Sequence, residues 1–258
     1  MRRTPSLQFG RTLCAVVAAA ALAAAAPGVA AAQSDVAAPA TPAAGPRVVE
    51  NLNRPGTSSY WAFVNKPAIA REEPSTKSKA VTRLKLTTPD GTDNLVLVLA
   101  QTQDAAGRTW LEVNLPMRPN NTTGWVPEQD LGSLQPVDTW LKISSKTLKA
   151  TLIKKGKVVF SARVGVGKPG TVTPRGNFYI RDKMTSFNNP AYGPVAFATS
   201  ALSATLTDWP GGGVVGVHGT DEPGLIPGRP SHGCVRMQNR DILRLAKLMS
   251  VGTPVTIS

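Results

Sequence analysis

Residues 214–237 read VVGVHGTDEPGLIPGRPSHGCVRM. Val214, Val215 and Val217 make a short β-branched run that ends in His218, and Gly219 closes it, so the spacing predicts a strand with a histidine at its end. A loop rich in Gly and Pro follows, and then Ser231-His232-Gly233-Cys234-Val235-Arg236. A thiol that attacks an acyl carbon needs a base or cation, because a free Cys has a pKa of about 8.5. It also needs donors for the oxyanion that develops. His218, across a loop from Cys234, meets the first need. Gly233, lacking a side chain, exposes backbone N–H groups that can meet the second. Two other readings of the same residues stand beside this one. His218, His232 and Cys234 could form part of a metal site, for which no fourth ligand is apparent. The pair could also be structural, with no chemistry.

The cysteine count bears on this choice. The chain has two cysteines, Cys14 and Cys234. Residues 1–32 have the order of a secretory signal peptide: Arg2, Arg3 and Arg11, an apolar run over 13–26, then Ala30, Ala31 and Ala32 before Gln33. An uncleaved anchor is the alternative, but the run is Ala-rich and short for a spanning helix. Arg2-Arg3 hints at twin-arginine export, with a poor fit downstream. Arg11-Thr12-Leu13 lacks the small residues expected before a lipidated Cys14. With cleavage, the mature protein lies outside the cytoplasmic membrane, in the periplasm or cell wall, with no stable membrane insertion. It then keeps Cys234 alone, and an unpaired Cys in an oxidising compartment is a candidate reactive thiol.

Upstream, residues 33–47 are an Ala/Pro linker. Residues 48–135 alternate short strand-like pieces, at 60–64, 80–86, 95–100, 109–113 and 124–126, with turns at Asp90-Gly91 and Ala106-Gly107. Residues 137–258 carry strand patterns at 139–143, 147–153, 157–164, 177–181, 195–199, 214–218 and 254–257, with a hairpin turn at Lys155-Gly156. One helix is expected late, where Ile242, Leu245, Ala246 and Met249 repeat at helical spacing, with Asn239 as N-cap and Gly252 just past the end. The fold class is therefore mainly β with one helix.

The formal net charge is +13. Residues 33–137 balance ten basic against ten acidic side chains, whereas residues 138–258 hold sixteen against six. Nearly all mature charge thus sits on the second half. Such a patch suits nucleic acid, but export argues against that partner. Anionic wall polymers and lipid headgroups remain, as does a solvated surface that only aids solubility.

These motifs carry a family resemblance. His218-Gly219-Thr220, a loop, and Ser231-His232-Gly233-Cys234-Val235-Arg236-Met237 resemble the signature of the L,D-transpeptidase catalytic domain. VGVGKPG at 164–170 and TPRGNFYI at 173–180 resemble that family's glycine-rich segment and the TPxGxF strand after it. The resemblance covers residues 137–258 and implies an L,D-transpeptidase-like β-sandwich. It implies that Cys234 is the nucleophile, that His218 takes or holds its proton, and that no metal or organic cofactor is needed. It further implies that Ser231, His232, Gly233 and Gly219 support the loop and oxyanion. Arg236 either binds a substrate carboxylate or braces the loop. The implied partners are peptidoglycan stem peptides, a tetrapeptide donor and a diamino-acid acceptor, with carbapenem-type inhibitors expected to acylate Cys234. Trimming of stems as an L,D-carboxypeptidase and non-enzymatic wall binding are the alternatives. Residues 48–135 resemble a bacterial SH3-like barrel, through Trp110 in RTWLEV and Trp125 in GWVP, with both Trp residues read as core. The segments around Tyr192 and Trp209 are candidates to cover the cleft.

Overall fold

The computed structural model describes residues 48–185, 189–208 and 212–258. The expected signal peptide, the expected Ala/Pro linker and Trp209 lie outside the described residues. The described residues fall within one compact unit.

Its first sheet holds eight strands. These are β1 (Glu50–Asn51), β2 (Ser59–Phe63), β3 (Ala68–Arg71), β4 (Ala80–Leu84), β5 (Leu95–Gln103), β6 (Thr109–Asn114), β7 (Thr123–Pro127) and β8 (Gln135–Val137). They run in the order β4-β3-β7-β6-β5-β2-β8, with β1 also on β5. Strand β5 shows how sequence period becomes packing. Successive side chains of a strand point to opposite faces. Val96 and Val98 enter the core of this sheet with Leu111, Val113 and Val126. Leu95 and Leu97 face the other way, onto Tyr179 of the second sheet. That is why β5 reads as a nearly continuous apolar run and not as an alternating one. Trp110 is buried, and its Nε1–H donates to Asp104 Oδ2 at 3.0 Å. Trp125 is half-buried.

The second sheet holds ten strands. They are β9 (Thr139–Ser144), β10 (Lys149–Lys154), β11 (Lys157–Arg163), β12 (Gly165–Gly167), β13 (Gly176–Met184), β14 (Ala196–Leu202), β15 (Val214–His218), β16 (Gly228–Ser231), β17 (Val235–Arg236) and β18 (Pro254–Ile257). Their order is β11-β10-β9-β18-β13-β14-β15-β17-β12-β16. Strand β13 joins two parts of this sheet. Its residues Gly176 to Tyr179 pair with β18, and Ile180 to Met184 pair with β14. The architecture is mainly β, with sheets consistent with a β-sandwich. Between β10 and β11 the two-residue loop Lys155-Gly156 has positive φ at both positions, 49° and 75°, the geometry a tight hairpin demands.

The single α-helix, α1, spans Asn239–Leu248 and buries Ile242 and Leu245 in the large core. Two expectations change here. Gln238 is the N-cap, and Asn239 is the first helical residue. Its side-chain Oδ1 instead accepts the Thr220 N–H at 2.9 Å, because the helix start is packed against the loop after β15. Gly252 does not cap the helix, which closes at Met249 in extended conformation. Gly252 has φ +77°, and a Cβ there would lie 2.0 Å from Trp61 Cδ1, so the indole occupies the space a side chain would need. The short strands β12, β16 and β17 had no legible pattern, being only two to four residues long.

Candidate active site

His218 ends β15, between Ala196 of β14 and Arg236 of β17. It is 4% exposed. Its Nδ1 lies 2.6 Å from the Gly219 carbonyl. A carbonyl only accepts, so Nδ1 carries the proton and Nε2 of the neutral ring is left as the acceptor. Tyr192 meets the ring edge-on, at 5.0 Å between centroids. Gly219 has no room for a side chain: a Cβ would lie 3.0 Å from Gly193 Cα and still closer to Asn239 Oδ1. The loop after His218 is thereby drawn tight against α1 and the 190–194 segment, and the Gly219 carbonyl is held against the imidazole.

Cys234 stands just before β17, which runs parallel to β15 with Val217 opposite Val235. This pairing brings the ends of two distant segments side by side. The Gly216 N–H donates to Cys234 Sγ at 3.3 Å. Ser231 Oγ donates to the Cys234 carbonyl at 2.6 Å and accepts the Gly233 N–H at 3.1 Å. Thr173 Oγ donates to the Gly233 carbonyl at 2.8 Å and accepts the Gly167 N–H at 2.9 Å. The glycine-rich strand β12 and the TPRG segment therefore support the cysteine loop from beneath. Of the backbone N–H groups expected to face an oxyanion near His232, Gly233 and Cys234, that of Gly233 is engaged by Ser231.

The cleft holds about 260 Å³ and is lined by His218, His232, Cys234, Arg236, Ser231 and Tyr192, among others. Burial pushes the Cys234 thiol up, against a smaller opposing pull from the Gly216 N–H and the Arg236 charge. Burial also holds His218 down to about 4, only partly offset by its bond to Gly219. Both shifts favour uncharged forms, so the resting pair at neutral pH is thiol and imidazole. Arg236 donates from Nη1 to Glu222 at 2.8 Å, and its buried Nε has no partner among the described residues. That pairing favours loop bracing over a free carboxylate receptor. No three His, Cys, Asp or Glu side chains converge as a metal site among the described residues.

Gly216 escaped the sequence reading, as did the supporting hydrogen bonds of Thr173 and Asn239; Tyr192, named there only as a candidate to cover the cleft, lines it. Gly216 carried a signal, since a glycine inside a strand marks close approach of another group. A further feature was invisible in sequence. Arg118 donates to the carbonyls of Ser203 and Gly212 at 2.7 to 2.9 Å, and Asn120 exchanges two hydrogen bonds with Leu202. Ser203 and neighbouring Gly213 line the cleft that holds His218 and Cys234. The β6–β7 connection thus holds one wall of that cleft.

Residues 138–257 match the family model for the L,D-transpeptidase catalytic domain, YkuD. The putative L,D-transpeptidase YkuD of Bacillus subtilis (strain 168) is 37% identical over 123 residues, 48% of this chain and 66% of that protein. YkuD of Bacillus licheniformis is 36% identical over 118 residues, 46% of this chain and 63% of that protein. The chain thus spans just under two thirds of the length of these two relatives. Among solved structures, the catalytic domain of the E. faecium L,D-transpeptidase is 24% identical, with TM-score 0.36, covering 47% of this chain and 97% of that one. An L,D-transpeptidase from Mycobacterium smegmatis is 17% identical, with TM-score 0.39, covering 64% of this chain and 90% of that one.

Proposed function

We propose that this protein cross-links peptidoglycan stem peptides through a thioester on Cys234, a reading supported by the match of residues 138–257 to the L,D-transpeptidase catalytic domain model. The observation that carries the reading is the His218 ring. Its Nδ1–H is fixed on the Gly219 carbonyl, at the end of a strand paired in parallel with the strand that follows Cys234. This leaves Nε2 as a base for the thiol, in the tautomer the chemistry needs.

The steps follow from a neutral pair. Cys234 Sγ attacks the carbonyl of the third stem residue as His218 Nε2 takes the thiol proton. With the Gly233 N–H engaged, the Cys234 N–H beside it is the donor assigned to the oxyanion. Collapse breaks the amide C–N bond, and the imidazolium returns its proton to the departing D-alanine amine. The thioester is then attacked by the side-chain amine of a diamino acid on a second stem. His218 accepts the proton lost by that amine and returns it to the departing Cys234 sulfur. Water in place of the amine gives trimming, the L,D-carboxypeptidase outcome. Export by residues 1–32 and an SH3-like role for residues 48–135 belong to the same proposal. So does acylation of Cys234 by a carbapenem, whose strained lactam carbonyl imitates the scissile amide.

The test incubates the mature protein with a disaccharide-tetrapeptide and follows products by mass spectrometry, beside the Cys234→Ala variant. A dimer lacking one D-alanine, made only by the wild type, is the expected result. Tripeptide without dimer assigns carboxypeptidase activity. No product from either protein, together with retained wall binding, assigns a non-enzymatic role.

A further inference from the structure

A second cleft, of about 500 Å³, lies beside the catalytic one, and Val214 lines both. Four cationic residues line it, Arg83, Lys85, Arg118 and Arg181, and no Asp or Glu does. None of the four has a carboxylate within 4.0 Å among the described residues. Arg118 spends its donors on the carbonyls of Ser203 and Gly212, which leave its charge in place. Arg181 is the telling member. It is 8% exposed, its Nη2 donates to the neutral amide oxygen of Asn94 at 3.1 Å, and its Nε has no partner among the described residues. A buried guanidinium without a counter-charge is costly, and the usual remedy is an anion brought to it. Nearly all other cationic excess lies on residues 138–258, yet three of these four residues come from the first sheet's half of the chain. The cleft therefore gathers charge that the composition of that half, balanced overall, does not suggest.

We propose that this cleft is an anion subsite that takes a carboxylate of a peptidoglycan stem while the reacting part of the substrate occupies the catalytic cleft. The inference rests on the transpeptidase reading for the identity of the anion. A carboxylate suits the planar donor fork of arginine, which binds it in two-pronged fashion. The shared wall at Val214 puts the subsite within one peptide's reach of the thiol.

The experiment separates this from the function itself. Tetrapeptide muropeptide is titrated calorimetrically into Cys234→Ala protein, alone and with Arg83→Gln plus Lys85→Gln, or with Arg181→Gln. Arg83 and Lys85 are exposed, so their replacement leaves the fold intact. Affinity is expected to fall about tenfold in each case, and by a similar factor when the ligand's carboxylates are amidated. In protein retaining Cys234, the same variants raise KM and leave iodoacetamide alkylation of the thiol unchanged. Unaltered affinity in the Arg83→Gln plus Lys85→Gln protein overturns the subsite. Tighter binding of a polyol-phosphate oligomer than of the stem also overturns it, and assigns the cleft to a phosphate polymer. Loss of turnover in the wild type with stem binding retained sinks the transpeptidase reading and leaves the anion site standing.

Discussion

His218 is held neutral by its surroundings, and this fixes a pH dependence. Its folded pKa lies near 4, below the ordinary 6.5. As the proposed base, His218 is therefore competent down to about pH 4. We expect carbapenem acylation, followed as kcat/KM-type rates by intact mass, to stay level from pH 7 to 5 and to fall only near pH 4. A midpoint near 6.5 would show that the ring is solvated. The same shift links to stability. Between pH 6.5 and 4 the unfolded chain takes up a proton that the folded site refuses, so stability is lost as pH falls. The loss is up to about 3 kcal/mol. Thr173 supports the loop of the proposed nucleophile from a distance, through two buried hydrogen bonds. Thr173→Val should cost about 1–3 kcal/mol in urea denaturation. It should also slow acylation, because Gly233 loses its anchor beside Cys234.

At the scale of elements, the connection between β6 and β7 acts on a site it does not line. Arg118 and Asn120 together make five hydrogen bonds to Leu202, Ser203 and Gly212. The double variant Arg118→Ala, Asn120→Ala should lower the rate of Cys234 acylation several-fold with little change in melting temperature. A melt displaced by many degrees would mean that the connection is a general brace. The turn after α1 gives a sharper stability test. Gly252→Ala must adopt φ +77° and displace Trp61. It should cost several kcal/mol and lower the melting temperature, read by circular dichroism, because both backbone strain and overpacking act there. Its φ needs glycine, but its closest neighbour is nearly two hundred residues earlier in the chain. Sequence spacing therefore pointed to a helix end that lies elsewhere.

Across the whole molecule, the two sheets share an apolar seam of Leu95, Leu97 and Tyr179, flanked by Trp61 and Val251. Tyr179 is fully buried and its hydroxyl donates to the Leu95 carbonyl. A fragment of residues 138–258 would bare this face. We expect it to melt at lower temperature than a chain of residues 48–258 and to aggregate more readily, as light scattering would report. A fragment as stable as the parent would show that the seam contributes little. The charge excess on residues 138–258 belongs to this scale too. Binding to isolated wall material should weaken as salt rises.

The sequence alone determined the strand-rich class and many strands of both halves, and its motifs singled out His218 and Cys234 as the candidate pair. It could do so because period-two patterning, turn residues and the HG and SHGC motifs are local properties of the chain. The tertiary structure decided the rest. Only the parallel pairing of β15 with β17 sets His218 and Cys234 in one cleft. Only the fold turns the Gly216 N–H onto the sulfur, places Thr173 under Gly233, and spends the Gly233 N–H on Ser231. It also gathers Arg83, Lys85, Arg118 and Arg181 around one cleft without a counter-charge. These are contacts between residues tens of positions apart. Each depends on register and on burial, and no window of sequence encodes either.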